Sequence, residues 1–322
     1  MKKEIIILAA VIIALTLYLT FHESNRTRYQ LPALSKVTSK DITQLEIQQS
    51  GKTIILNKKD NKWFIAPKDY LADTNAINQM LEVIDDLRLT TLASESGSYY
   101  RYDLVDDKKI TVKAWIKQTL SRAFEIGKAV PTYQHTFVHL LDDPNVYHAD
   151  GNFRNTFDKT IENLREKTVL SFEKSQIQNL RIAKGKTARE FILKTIPVNA
   201  DENLINGEKE KEPPKTKMEW QSVDRKKADE TAIEELLSLV TSLKCDTYHR
   251  NEAKDAFHNP SYIIEVNGSI PAKLSIFDTA DEATTQYPAI SSQNDYPFFL
   301  SEFQGKNITE KIDVLLEPII KK

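Results

Sequence analysis

An internal repeat is the feature that most restricts how this chain can fold. The pattern Ile-x-x-Leu-x-Ile at residues 42–47 returns at residues 177–182, and both copies alternate apolar and polar positions as a half-buried strand does. A tryptophan follows each copy, Trp63 in the first and Trp220 in the second. The gap before Trp220 is longer because of residues 197–217, whose Lys-, Glu-, Asn- and Pro-rich composition predicts an exposed insertion. A repeat on this scale predicts two related halves.

Each tryptophan is followed by a segment with one apolar stripe at helical spacing. Every apolar position of the first stripe has an apolar counterpart in the second: Ile77, Met80, Leu81, Ile84 and Leu87 match Ile233, Leu236, Leu237, Val240 and Leu243. Asp73 and Asp229 precede the stripes and are placed to cap the helices by accepting hydrogen bonds from their first N–H groups. Both segments are therefore predicted to be helices that bury the stripe against a sheet.

Strands are predicted after each helix. Residues 110–112 and 124–126 of the first half are matched to residues 264–266 and 274–276 of the second, and a further hairpin is predicted over residues 136–147. This pattern predicts an α+β fold with an N-terminal transmembrane helix followed by two related repeats, each an antiparallel sheet covered by one main helix. The predicted segments are an anchor at 1–22, a tether at 23–40, a first repeat at 41–172 and a second repeat at 173–322.

The N-terminal segment is predicted to be a membrane anchor. Residues 5–21 carry no charged side chain and would extend about 25 Å as a helix at ~1.5 Å per residue, near the lower limit for crossing a bilayer. The stretch lacks the small-residue cleavage site of a secretory signal peptide, which favours an uncleaved anchor. Lys2 and Lys3 give a slight positive-inside bias against Arg26 and Arg28. We therefore expect a single-pass protein of the bacterial inner membrane with its N-terminus in the cytoplasm and its C-terminal domain in the periplasm.

Composition and motifs argue against several classes of function. A net charge of −2 offers no basic face for nucleic acid. The single cysteine, Cys245, excludes an intrachain disulfide and a cysteine-based zinc site. The motif at residues 185–187, Gly-Lys-Thr, lacks the earlier glycine of a phosphate-binding loop, because Leu180 stands there. We therefore expect no cofactor, no metal and no catalytic residues.

A histidine cluster is the strongest alternative to this expectation. His135, His139 and His148 lie near Asp142 and Asp143 in the sequence, and on a helix His135 and His139 would share a face and could ligate one metal. The predicted strand instead separates His135 and His139 by about 13 Å at ~3.3 Å per residue, too far for joint ligation. The cluster is interpreted as ordinary hairpin residues.

Aromatic residues supply the candidate interaction surface, which consists of Tyr99, Tyr100 and Arg101. Exposed tyrosine and arginine are typical of protein interfaces. The alternative is that the tyrosines of this segment pack on the sheet. Trp63 and Trp220 are interpreted as core anchors rather than as ligand platforms.

Several motifs together indicate a family. They are residues 42–47, Trp63, the helical segment 73–88, Tyr102-Asp103-Leu104, Glu125-Ile126-Gly127-Lys128, Val146-Tyr147 and residues 163–172. In these motifs the sequence resembles an uncharacterised family of membrane-anchored envelope proteins, defined by a domain of unknown function and often encoded beside gliding-motility-type ABC transporters. Asp103 departs from the family pattern, which usually has glycine before the leucine.

The resemblance implies a non-catalytic function. It implies a non-catalytic, membrane-anchored periplasmic accessory subunit of an ABC-type transport system, with the transporter permease, its ATPase and associated membrane subunits as partners. Two alternatives stay open. An envelope hydrolase is supported only by a surplus of carboxylates such as Asp103, Asp106 and Asp107. A module that binds lipid or polysaccharide would require an apolar groove between the halves.

Overall fold

The structure is a computed structural model that describes residues 2–21, 29–197, 216–223, 228–249, 252–278 and 285–317. The chain divides into two compact units, Met1–Arg165 and Glu166–Lys322. Most of the predicted insertion at 197–217 and the first part of the predicted tether at 23–40 lie outside the described residues.

Helix α1 (Lys2–Phe21) contains the predicted anchor. Its first residues are Lys2, Lys3 and Glu4, so the uncharged part extends only about 25 Å at ~1.5 Å per residue, against a hydrocarbon core of about 30 Å. No helix in the described part of the chain is long and apolar enough to cross a membrane. The prediction of a transmembrane anchor at 1–22 is therefore wrong. The inner-membrane location, the cytoplasmic N-terminus and the periplasmic C-terminal domain depended on that anchor and are corrected with it.

The first unit is built on one antiparallel sheet. Its strands are β1 (Gln44–Gln49), β2 (Lys52–Lys59), β3 (Lys62–Ile65), β4 (Tyr70–Leu71), β5 (Leu89–Ser94), β6 (Ile110–Ile116), β7 (Thr119–Ala129), β8 (His135–Leu140) and β9 (Val146–Asp150). Its other helices are α2 (Thr74–Asp85), α3 (Arg154–Phe157) and α4 (Ile161–Leu164). The strand order is β4-β3-β2-β1-β6-β7-β8-β9-β5.

The second unit contains a larger and a smaller antiparallel sheet. Its strands are β10 (Thr168–Ser171), β11 (Asn179–Lys184), β12 (Thr187–Pro197), β13 (Thr216–Ser222), β14 (Ser242–Lys244), β15 (Thr247–Tyr248), β16 (Tyr262–Asn267), β17 (Ala272–Ile276), β18 (Tyr287–Ser291) and β19 (Phe298–Leu300). Its helices are α5 (Glu230–Val240) and α6 (Glu302–Leu316). The larger sheet has the order β13-β12-β11-β16-β17-β18-β19-β15, and β10 pairs with β14.

The two large sheets have the same strand order when their strands are matched along the chain. Strands β1–β3 correspond to β11–β13, strands β5–β9 correspond to β15–β19, and β4 adds a ninth strand to the first sheet. Helices α2 and α5 follow the third matched strand of their units. This correspondence allows residues of one unit to be compared with residues of the other.

Helices α2 and α5 each supply part of the core of their own unit. All ten residues of the two predicted stripes are buried. The amide of Ala76 donates to Asp73 Oδ1 at 2.8 Å, and the amide of Ala232 donates to Asp229 Oδ1 at 3.0 Å. The predicted caps and the predicted burial of both stripes are confirmed. The helices end earlier than predicted, so Leu87 lies after α2 and Leu243 lies in β14.

The predicted α+β fold class is wrong, because the structure is mostly β-sheet. Strands make up 40% of it and form three antiparallel sheets. The physical reason is that a helix the length of α2 or α5 covers only one face of a sheet of eight or nine strands. Other segments cover the rest, as the first unit shows on the face opposite α2.

Candidate functional site

The candidate interaction residues lie on a turn across the outer face of the first sheet, which is the face opposite α2. The 3-10 helix Tyr99–Tyr102 forms this turn. Successive strand residues point to opposite faces, so Ile126 and Val138 pack in the core with α2 while Glu125 and His139 point the other way.

Two residues allow the turn to approach the sheet closely. Asp103 ends the 3-10 helix with φ 56° and ψ 36°, a left-handed conformation that glycine adopts most easily and aspartate tolerates. Gly127 of β7 lies beneath the turn, and a Cβ built there would be 2.2 Å from the carbonyl oxygen of Tyr102. Glycine is required at position 127 by this close approach. Asp103 stands where the family pattern usually has glycine, and it keeps the positive φ that a glycine would allow.

Tyr99 and Tyr102 face the sheet. The ring centroid of Tyr102 lies 4.7 Å from that of Phe137, and the ring of Tyr99 meets that of His139 edge-on at 4.9 Å. Both tyrosines pack against a small apolar cluster centred on Leu104, Phe137 and Val146. The Tyr99 hydroxyl also donates to the carbonyl of Pro144 at 3.0 Å. Of the predicted surface residues, Tyr99 is therefore a packed residue that supports the turn.

A charged network lies beneath the turn. Glu125 Oε2 is 2.9 Å from His139 Nδ1, and Glu125 Oε1 is 2.7 Å from Lys109 Nζ. The side chain of Glu125 is only 9% exposed. The Tyr99 hydroxyl is 3.3 Å from His139 Nε2, and Lys109 also pairs with exposed Asp106 at 2.8 Å. Contacts therefore run continuously from Tyr99 through His139 and Glu125 to Lys109, a set called here the Glu125 network.

Electrostatic interactions keep Glu125 and Lys109 charged. Burial raises the pKa of Glu125, but hydrogen bonds from His139 and Lys109 outweigh it, so this pKa lies below its ordinary value. Burial lowers the pKa of Lys109, but its contacts with Asp106 and Glu125 outweigh that effect and raise this pKa. Glu125 and Lys109 are therefore an ion pair at neutral pH.

Tyr100 and Arg101 face the solvent. The side chain of Tyr100 is 73% exposed, and Arg101 is also exposed. Lys108 Nζ lies 5.5 Å from the Tyr100 ring centroid and 3.1 Å from Asp103 Oδ1. Tyr100, Arg101 and Lys108 together are called the Tyr100 surface. It combines one exposed aromatic ring with two cationic groups.

The other two histidines of the predicted cluster, His135 and His148, lie on strands β8 and β9, whose pairing confirms the predicted hairpin. His135 and His148 have ring centroids 6.2 Å apart, whereas His139 contacts Glu125. Burial lowers the pKa of His148, and the neighbouring His135 lowers it further. Across the described ranges, no group of three or more His, Cys, Asp and Glu side chains is arranged to hold a metal ion.

The carboxylates considered for a hydrolase lie on the surface near the same turn. Asp103 pairs with Lys108, and Asp106 pairs with Lys109 although its side chain is 95% exposed. Asp107 is exposed. These three groups lie in one exposed segment of the chain, between the 3-10 helix and β6.

The Glu125 network is not predicted from the sequence. Glu125 and His139 are cross-strand partners, and such pairs interact directly. Pairing the two predicted strands in the correct register would have shown this contact. Lys109 lies just before β6, so no strand register indicates its place in the network.

Comparison with known proteins identifies the family. The DUF4340 model, described as a domain of unknown function, matches residues 63–260. The chain belongs to the DUF4340 family. The matched DUF4340 region contains the Tyr100 surface, the Glu125 network and both Trp63 and Trp220. No curated protein and no solved structure matches the chain.

Proposed function

We propose that this DUF4340 protein is a non-catalytic accessory subunit of an ABC-type transport system and that it binds partner proteins through the Tyr100 surface. The observation that carries the proposal is the exposure of Tyr100 and Arg101 on a turn that is held firmly from below. The class of partner comes from the family resemblance, which associates such proteins with gliding-motility-type ABC transporters. The proposal includes no membrane anchor.

The side chains of the Tyr100 surface suit protein binding. Tyrosine and arginine are among the residues that contribute most to binding energy at interfaces. Tyr99 and Tyr102, on either side, are packed against the sheet, so the turn is ordered before a partner arrives. Such pre-organisation reduces the entropy lost on binding. The positive charge of Arg101 favours a partner surface that carries carboxylates.

Affinity purification of the tagged full-length chain from native membranes tests the proposal. We expect the unmodified chain to recover an ABC permease and its ATPase, and the double variant Tyr100→Ala/Arg101→Ala to reduce their recovery about tenfold or more, because two interface anchors are lost. The matched control is Tyr133→Ala, since Tyr133 is 72% exposed and lies outside the Tyr100 surface. This control should recover the partners normally.

The outcomes separate the two parts of the proposal. If the unmodified chain recovers neither permease nor ATPase, the protein is not a transporter subunit. If the double variant recovers as much as the unmodified chain, the subunit role stands but the Tyr100 surface is not the binding surface. Equal losses in the double variant and in Tyr133→Ala would show a general effect of removing exposed tyrosines.

A further inference from the structure

The two units contain pockets at matching positions. The pocket of the first unit has a volume of about 350 Å³ and includes Trp63 of β3 and Leu81 of α2 among its lining residues. The pocket of the second unit has a volume of about 550 Å³ and includes Trp220 of β13 and Leu237 of α5. A 3-10 helix before the first matched strand also lines each pocket, Ser39–Asp41 in one unit and Lys174–Gln176 in the other. They are called the Trp63 pocket and the Trp220 pocket.

The apolar parts of the two pockets are alike, whereas their charges differ. The Trp63 pocket is lined by three lysines, Lys40, Lys58 and Lys62, and by a single acidic residue, Glu82. The Trp220 pocket is lined by one lysine, Lys174, and by two acidic residues, Glu230 and Glu234. The first pocket is therefore cationic and the second is not.

Each lysine of the Trp63 pocket can be compared with a residue of the second unit. Lys58 is paired across the strands with Trp63, and Leu193 is paired in the same way with Trp220. Lys62 directly precedes Trp63, and Glu219 directly precedes Trp220. The middle residues of the two 3-10 helices also differ, being Lys40 and Ser175. A leucine, a glutamate and a serine thus replace the three lysines in a unit of the same sheet order, so that order does not require them.

The lysines of the Trp63 pocket also form no salt bridge with any described residue. Lys58 Nζ donates to the backbone carbonyl of Lys40 at 2.9 Å, and among the described residues none of the three lysines has a carboxylate within salt-bridge distance. In the Trp220 pocket, by contrast, Lys174 Nζ is 2.5 Å from Glu234 Oε2. Three lysines against a single glutamate in the pocket lining, none of them in a salt bridge with a described residue, favour an anionic ligand.

We propose that the Trp63 pocket binds an acidic peptide segment of a partner protein, with carboxylates at the three lysines and an apolar side chain against Trp63 and Leu81. This inference rests on the proposed function, because it names the chemistry of a partner segment. The lysines come from three separate segments, the 3-10 helix, β2 and β3, which suits several carboxylates along one chain better than one compact phosphate. No arginine lines the pocket, so the bidentate fork typical of phosphate recognition is missing from it. A volume of about 350 Å³ lies in the range of ligand pockets, about 300–1,000 Å³.

Fluorine NMR of the full-length chain labelled with 5-fluorotryptophan tests the inference. The chain has three tryptophans, which give three signals that single Trp→Phe variants assign. The probe is the synthetic peptide acetyl-Asp-Glu-Leu-Asp-Glu-amide, and its control is the uncharged counterpart acetyl-Asn-Gln-Leu-Asn-Gln-amide. We expect the acidic peptide to shift the Trp63 signal saturably, while the Trp115 and Trp220 signals stay in place. Trp220 is the internal control, because it lines the matching pocket without the three lysines.

Lysine variants show whether the charges of the pocket are responsible. We expect Lys40→Gln/Lys62→Gln to weaken peptide binding about four- to twenty-five-fold, since each lost surface ion pair weakens binding about two- to fivefold. Lys174→Gln, in the Trp220 pocket, should leave the affinity unchanged. Increasing the salt concentration should weaken binding by the unmodified chain more than binding by the double variant.

Four results would overturn the inference. They are no shift of the Trp63 signal, equal shifts of the Trp63 and Trp220 signals, equal binding of the uncharged peptide, and unchanged affinity of the double lysine variant. Displacement of the peptide by inorganic phosphate of similar affinity would also overturn it, because the pocket would then be a general anion site. Failure of this inference differs from failure of the proposed function. If the chain recovers a transporter complex but does not bind the peptide, only the inference is wrong. If it recovers no transporter protein, the proposed function is wrong.

Discussion

Replacing Glu125 with glutamine tests whether the Glu125 network stabilises the first unit. In Glu125→Gln the amide oxygen can still accept a hydrogen bond from His139 Nδ1, but the ion pair with Lys109 at 2.7 Å is lost. Charge-assisted hydrogen bonds contribute about 1.5–3 kcal/mol. Lys109 is 24% exposed and keeps its contact with Asp106, so we expect the lower part of that range, about 1.5–2 kcal/mol, as the loss in free energy of unfolding at pH 7.

The pH dependence of this difference is the more decisive part of the prediction. The pKa of Glu125 lies below its ordinary value of 4.5 in the folded chain, so the unfolded chain takes up a proton first as the pH falls. The stabilisation from Glu125 is therefore complete above pH 4.5 and is lost as the pH falls through the lowered pKa. Glutamine does not titrate, so the stability difference between the two proteins should shrink in this range. Asp85, Asp106 and Glu265 also have lowered pKa values, but they are present in both proteins and largely cancel in the difference.

Urea unfolding of the two proteins at pH 7 and at pH 4 or below measures this difference. The matched control is Glu46→Gln, because Glu46 pairs with Lys113 at 2.9 Å in a more exposed position and should cost about 1 kcal/mol or less. A stability difference for Glu125→Gln that is the same at both pH values would refute the reasoning. Equal stability of Glu125→Gln and the unmodified chain at pH 7 would also refute the reasoning.

Three further predictions concern packing and capping, and chemical denaturation measures each of them. Leu81→Ala and Leu237→Ala should each cost about 2–5 kcal/mol, because both side chains are buried and their loss leaves a cavity; a silent variant would contradict the packing described for that unit. Gly127→Ala should cost about 1–3 kcal/mol and also reduce partner recovery, because its methyl group would displace the turn that carries the Tyr100 surface. Asp73→Ala and Asp229→Ala should each cost about 1 kcal/mol through the lost helix cap, and Asn at either position should restore most of it.

The starts and buried faces of helices α2 and α5 could be predicted, but their ends could not. Their signal is local, because an apolar stripe of period 3.6 after a capping aspartate is contained within about four turns of chain. Asp73, Asp229 and the first four residues of each stripe lie where the sequence predicts them, whereas Leu87 and Leu243 are buried but lie beyond the ends of the helices. The number and extent of the strands could not be predicted in the same way, because a short strand has few positions at which alternation of apolar and polar residues can be recognised. This is why the sequence indicates α+β for a structure that is mostly β-sheet.

One strand correspondence was wrong by two residues. Residues 110–112 were matched to 264–266, but Val112 is the residue that pairs with Ile47, as Ile264 pairs with Ile182. Since Ile47 and Ile182 are matched in the repeat, Val112 corresponds to Ile264. A shift of two residues along a strand keeps every side chain on the same face, so the apolar pattern cannot detect it. Only the pairing register determines the correspondence.

The Glu125 network and the Trp63 pocket could not be predicted because they depend on contacts between distant segments. The network joins a turn, the residue before β6 and two strands, and its distances follow from register and not from any motif. Trp63 was interpreted as a core anchor, and it is only 7% exposed. It nevertheless lines a pocket, because an indole can be almost wholly buried and still present one edge to a cavity. Burial of a tryptophan therefore does not decide between packing and binding.

Comparison of the two units distinguishes the residues that the shared strand order requires from the residues that it does not require. Positions that pack the core are apolar in both, as with Leu81 and Leu237. Glu125 pairs across β7 and β8 with His139, whereas the matching residue of β17 is Ser275, which pairs with Ile290. The charged network is therefore absent from this position of the second unit. The second unit also lacks lysines at the positions that match those of the Trp63 pocket. A charged group whose counterpart in a sheet of the same order is neutral is not required by that order. By this criterion the binding residues of the first unit are to be found among the positions where the two units differ, and the Trp63 pocket is the place to test.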